Sequence, residues 1–129
     1  MPKGTLFLSL FLLMLGLGAC TKKNEISVTS TDFKFEPLTW TISAGRETSI
    51  TLINEGTLEH EWVLLKKGME VTIPFDADDE EKVFWEIEAG PKETKTGTFT
   101  APTEAGTYTV VCGTPGHLEQ RMEAALIVK

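Results

Sequence analysis

Short segments of alternating apolar and polar residues recur from Ile26 to Val128, and that rhythm leaves few folds open. Ile26–Ser30 alternates, and so does Leu38–Ile42, which runs into an Ala44-Gly45 turn. Glu47–Asn54 is rich in β-branched residues and is closed by Gly56. His60–Leu65, Thr96–Thr100, Tyr108–Cys112 and Ala124–Val128 complete the set. Alternation at period two marks strands with one face buried. Strands of this length, separated by Gly/Pro turns, predict an antiparallel β-sandwich of about 100 residues. Internal repeats and low-complexity segments are absent from the sequence.

Met69–Lys95 departs from the rhythm. It holds Asp76-Ala-Asp-Asp-Glu-Glu81, then Val83-Phe-Trp-Glu-Ile87, then Gly90-Pro91. It reads either as a long connection with a helical turn or as a loop plus an edge strand. The acidic run reads first as a solvated loop. Its functional alternative is a docking patch for a basic redox partner, whose effect salt would screen.

The N-terminus has the features of an export signal. Lys3 supplies a positive charge, and Leu6–Leu17 is an apolar run broken only by Ser9 and Gly16. A run of about 12 residues is too short for a bilayer, which needs ~20, and suits a signal peptide. It ends Leu17-Gly18-Ala19-Cys20, which resembles a bacterial lipobox. That resemblance implies a signal peptide over residues 1–19, acylation of Cys20, and a tether to residue 25 before a domain over 26–129. The tether reaches only about 15 Å when extended, so the domain is expected close to a membrane, facing the periplasm or the cell exterior. A Cys20–Cys112 disulfide in an unlipidated chain is the alternative. If Cys20 carries lipid, Cys112 is the remaining thiol, and an exported protein that keeps one free thiol needs a use for it.

Charge narrows the partners. The chain has a formal net charge of −7, and loss of residues 1–19 removes Lys3 and no acid, giving −8. An acidic surface repels phosphate backbones and argues against nucleic acid. It favours basic proteins.

The candidate chemistry lies near the C-terminus, in Cys112-Gly-Thr-Pro-Gly-His117-Leu-Glu-Gln-Arg-Met122. Period two places Tyr108, Val110 and Cys112 on one strand face, so the thiol points inward at the strand's end. Gly113-Thr-Pro-Gly116 are turn formers that return His117 toward the same point. Met122 is in phase with Ala124, Leu126 and Val128 on the last strand. His60, Trp62 and Leu64 share a face further upstream. If that strand neighbours the Cys112 strand, four donor atoms meet at one end of the sandwich. Two His, one Cys and a weak axial Met are the ligand set of a blue-copper electron-transfer centre. Zinc would want four strong ligands, and a thioether is a poor one. Multicopper enzymes need more than the two His present here.

These residues resemble the cupredoxins, the group of plastocyanin, azurin, amicyanin and auracyanin. The pattern Gly106-Thr-Tyr-x-x-x-Cys112-x4-His117-x4-Met122 carries the likeness, with Asn54-x-Gly56-x-x-x-His60-x-Trp62 upstream. The two gaps of four match auracyanin; azurin has a shorter second gap and plastocyanin a shorter first one. The resemblance covers Ile26 to Lys129. It implies an all-β, antiparallel Greek-key β-sandwich holding one mononuclear type 1 copper. His60, Cys112 and His117 would be equatorial ligands and Met122 axial, with His117 at the solvent edge where electrons leave. It also implies a monomeric electron carrier and no enzyme, exchanging electrons with a cytochrome or a membrane oxidoreductase complex. Two positions depart from the family. Glu61 stands where many members have Asn, and Gly113 where a polar residue often answers it. Glu61 would lower the reduction potential if its charge lies near the metal.

Other readings use the same residues. A protein that stores or delivers Cu(I) needs the same soft donors. A Cys112–His117 nucleophilic pair would need a low-pKa thiolate and an oxyanion hole, and the sequence suggests no substrate cleft. Trp40, Trp62 and Trp85 read as core residues.

Overall fold

The computed structural model describes Met1 and residues 22–129. The signal-peptide and lipidation expectations, including Cys20, fall outside the described residues. Among the described residues no helix is long and apolar enough to cross a membrane.

Among the described residues nine strands form: β1 (Asn24–Thr31), β2 (Lys34–Glu36), β3 (Thr39–Ile42), β4 (Glu47–Asn54), β5 (His60–Leu65), β6 (Val83–Ala89), β7 (Thr94–Thr100), β8 (Gly106–Val111) and β9 (Glu123–Val128). They build two sheets, ordered β2-β1-β4-β7 and β3-β9-β8-β5-β6. Alternate residues of each strand face the interior; along β4 the inward residues Thr48, Ile50, Leu52 and Asn54 are all buried. The sandwich is as the alternation predicts, but its sheets are mixed. β1 pairs with β4, and β3 with β9, in parallel. Parallel neighbours need a crossover, and here the chain leaves the first sheet after β2, runs as β3 in the second, and returns as β4. Period two says which face a residue takes; it does not say which strand lies alongside.

β1 begins at Asn24, two residues before the alternation sets in. The Asn24 side chain explains this. Its Nδ2 donates to Ser43 O at 2.9 Å and Thr48 Oγ1 at 3.0 Å, and its Oδ1 accepts from the Ser43 N–H at 3.0 Å. One amide thus stitches β1 to the turn after β3 and to β4.

The segment 69–95 contains both of the features expected of it, a 3-10 turn at Ala77–Lys82 and the edge strand β6. Its outer portion also covers the far face of the five-stranded sheet. Val71, Phe75 and Val83 pack on Val63, Leu65, Val111 and Leu118. β5 is therefore buried on both faces, which accounts for the continuous apolar run Trp62–Leu65.

The acidic run is not uniformly solvated: Asp79 is fully buried. Its carboxylate accepts from Lys82 Nζ at 2.7 Å and from the Asp76 and Thr72 N–H groups. Asp76 in turn caps the turn by accepting from the Asp78 N–H at 2.9 Å. Lys82 holds the Asp79 pKa below its ordinary value. A depressed carboxyl contributes stability above the unfolded pKa of about 3.9, and that contribution disappears as pH falls through the folded value. Asp79→Asn is thus expected to lower the melting temperature at pH 7, with the gap to wild type closing below about pH 4. Melting curves at the two pH values check this; a gap of the same size in acid would deny the pair its role.

Candidate metal centre

Three strand ends and one loop build the site. β5 opens with His60, and β8 ends one residue before Cys112. The two strands are antiparallel neighbours, with Val63 opposite Val111 and Leu64 opposite Val110. The strand adjacency on which convergence depends is therefore present. The loop from Cys112 to Met122 is closed by its own backbone. The His117 N–H donates to Thr114 O at 3.1 Å, and the Met122 N–H donates to His117 O at 3.2 Å. The Cys112 N–H then donates to Met122 O at 3.0 Å. Gly116, at φ +85°, takes the left-handed turn that this closure needs.

Three donor atoms converge. Cys112 Sγ lies 3.3 Å from His117 Nδ1 and 4.0 Å from His60 Nδ1. The donor atoms of all three residues fall within 4.8 Å of one another. Ligands ~2.0–2.3 Å from a central ion in a trigonal plane stand roughly 3.5–4 Å apart, so the thiol and the two ring nitrogens fit one small ion. His60 is 0% exposed, Cys112 0% and His117 3%, which excludes bulk water as a strong competing ligand. Met122 is buried one residue before β9 and packs in the same core cluster as Cys112. Its backbone bonds to both Cys112 and His117. A soft thiolate, two imidazoles and a thioether suit copper in both oxidation states better than zinc.

Burial sets the protonation of the metal-free donors. It pushes the Cys112 thiol above its ordinary value, against hydrogen bonds from the Glu61 and Thr114 backbones. It lowers both histidines, with His60 adding to the effect on His117. Both imidazoles thus favour the neutral, ligating form, and a metal must displace the thiol proton. The Glu61 N–H donates to Cys112 Sγ at 3.4 Å, a backbone bond available to the bound thiolate as well.

The two departures from the family pattern prove to be one feature. The Glu61 carboxylate lies directly over Gly113, in the space a Cβ there would take. The longer acid at 61 is accommodated by the missing side chain at 113. Glu61 is half-buried, and burial together with Glu86, Glu88, Glu80 and Glu59 pushes its carboxyl up to about 7. A carboxyl titrating there is only partly ionised at neutral pH, so less charge reaches the site than sequence suggests.

Three neighbours of the site were not singled out from sequence for their contacts with it. Asn54 Nδ2 donates to the Leu58, Ala89 and Gly90 carbonyls, while its Oδ1 accepts from the Gly56 N–H. It fixes the loop that delivers His60. Phe33, a non-glycine residue at φ +67°, sets its ring edge-on to His117 at 5.1 Å. Asp32 Oδ1 lies 3.3 Å from His60 Nε2. The Asn54-Gly56 spacing was a signal for the first; the other two come from a turn 28 or more residues away from the ligand they touch.

Comparison with known proteins agrees with the geometry. No curated protein sequence matches the chain. Among solved structures, auracyanin A, a "blue" copper protein from the green thermophilic photosynthetic bacterium Chloroflexus aurantiacus, is 28% identical with a TM-score of 0.72. That match covers 84% of this chain and 100% of the other. Dithionite-reduced auracyanin from the photosynthetic bacterium Roseiflexus castenholzii is 25% identical with a TM-score of 0.70, covering 83% and 98%. Auracyanin B, at 22% identity and a TM-score of 0.71 over 82% and 88%, shares the fold. The family model for copper binding proteins of the plastocyanin/azurin type matches residues 22–129, and the chain belongs to that family.

Proposed function

We propose that this protein is an exported, lipid-anchored carrier of single electrons, working through one mononuclear type 1 copper held by His60, Cys112, His117 and Met122. The observation that supports it is the convergence of three buried donors within 4.8 Å. The copper supplies a one-electron Cu(II)/Cu(I) couple when bound. The chain's own residues would supply a soft thiolate, two neutral imidazoles and exclusion of water. Their positions are fixed by β5, β8 and a self-closed loop, so little needs to move when the charge changes. The test is an absorption and EPR spectrum of the domain Thr21–Lys129 loaded with Cu(II). Intense blue absorption with narrow copper hyperfine splitting supports the reading. A colourless protein with an ordinary tetragonal signal would remove it and favour Cu(I) storage or delivery.

Acylation of Cys20 would hold the domain at a membrane, near a cytochrome or a membrane oxidoreductase complex. The docking face we favour is a stripe beside the site, in preference to the run at 76–81. Glu61 stands opposite Glu88 across β5 and β6. Glu88 raises the pKa of Glu59, Glu61 and Glu86, a mark of crowded like charges. Such a stripe suits a basic partner. Electron-transfer rates to a basic cytochrome should fall steeply between low and physiological salt; a flat salt profile would sink this assignment.

A further inference from the structure

We propose that Asp32 is a positioning residue of the metal centre: its carboxylate accepts the His60 Nε2–H, aims Nδ1 at the site, and lowers the reduction potential. The inference rests on the copper reading above and deepens it.

The argument begins with hydrogen-bond chemistry. His60 presents Nδ1 to Cys112 Sγ and Nε2 to Asp32 Oδ1. An ionised carboxylate can only accept. Nε2 therefore carries the proton, and Nδ1 keeps its lone pair for a metal. The carboxylate is ionised at neutral pH, as an aspartate normally is, and the Thr57 hydroxyl and N–H donate to it. A carboxylate on the far nitrogen raises the basicity of a ligating imidazole. It also adds negative charge behind the ligand, which stabilises the more positive oxidation state of the copper.

Asp32 has other partners, and these fix it in place. Oδ1 accepts from the Thr57 N–H at 2.9 Å and the Leu58 N–H at 3.3 Å; Oδ2 accepts from the Thr57 hydroxyl at 2.7 Å. The residue thus joins the β1–β2 turn to the loop that leads into β5. Gly56 makes room for the contact. A Cβ there would collide with Asp32 Oδ1 and come within 2.8 Å of His60 Nε2. The absence of a side chain at position 56 lets carboxylate and ring approach.

A loop clamp alone would explain the Thr57 bonds but not a redox effect, and three variants separate the two. Asp32→Asn keeps an acceptor and removes the charge. Asp32→Ala removes both. Thr57→Val weakens the clamp and leaves the charge. With the blue spectrum intact, Asp32→Asn should raise the Cu(I):Cu(II) ratio at fixed poise about tenfold, equal to 59 mV for one electron. Thr57→Val should leave the potential in place. Asp32→Ala should weaken Zn(II) binding about 10–100-fold. In the metal-free wild type, ¹⁵N NMR should find His60 as the Nε2–H tautomer. An unchanged potential in Asp32→Asn, a Thr57→Val shift equal to it, unchanged Zn(II) affinity in Asp32→Ala, or an Nδ1–H tautomer would each overturn the proposal. Failure of the wild type to turn blue would instead remove the copper reading, and the tautomer result would still report on Asp32.

Discussion

Replacing Cys112 by Ser is expected to abolish the intense visible absorption of the copper-loaded protein and leave it folded. The strong band of a blue site belongs to a thiolate bound to Cu(II), and this domain has no second thiol: Cys112 is the free cysteine among the described residues. A serine hydroxyl stays protonated at neutral pH and is a hard, weak donor. Two imidazoles and a thioether would remain, a set that gives Cu(II) an ordinary tetragonal signal. The loss in metal affinity should be large. Outer-shell partners of a metal site are worth about 10–100-fold, and an equatorial thiolate should exceed that range. The fold should survive, because Ser differs by one atom and its Oγ can still accept from the Glu61 N–H, which now donates to Sγ. Circular dichroism should therefore overlay that of wild type while the blue band disappears. A variant that kept the band would mean the sulfur is not a ligand.

Much of this site was legible because most of it is local. Cys112, His117 and Met122 lie within one turn, so strand phase and turn chemistry were enough to bring them together. His60 needed one further fact, that its strand lies beside β8, and neither period nor spacing supplies strand neighbours. The same gap hid the two parallel pairings. It also hid Asp32 and Phe33, whose relevance exists only once the β1–β2 turn has been folded over the ligand loop. Local reading failed differently at Asp79. Five acids in six residues suggest water, yet one of them turns inward, because Lys82 and two backbone N–H groups satisfy its carboxylate. The pairing of Glu61 with Gly113 was visible as two separate anomalies; only the close approach of one to the other shows that they compensate.

Trp62→Ala is expected to be the most destabilising single change in the sandwich. Trp62 is fully buried on the inner face of β5, two residues from His60. Its ring meets Trp40 at 5.9 Å, Trp85 at 6.2 Å and Phe99 at 6.3 Å, so it touches both sheets. Trp85 stacks on Phe99 at 4.8 Å across the edge where β6 meets β7. That stack depends on Gly97, where a Cβ would come within 2.9 Å of the Trp85 ring. Removing the central indole opens a cavity that these fixed neighbours are poorly placed to fill. Such truncations cost about 3–5 kcal/mol, or roughly 15 °C or more in melting temperature for a domain of this size. Trp62→Phe should cost much less. It keeps most of the packing and removes an indole N–H that has no hydrogen-bond partner among the described residues, and a buried donor left unpaired costs about 1–3 kcal/mol. Melting curves of the metal-free protein measure both variants without interference from ligand binding, which would add its own stabilisation. Equal losses for Phe and Ala would mean that only the full indole fills the space between Trp40, Trp85 and Phe99. A small loss for Ala would mean the two sheets close over the gap.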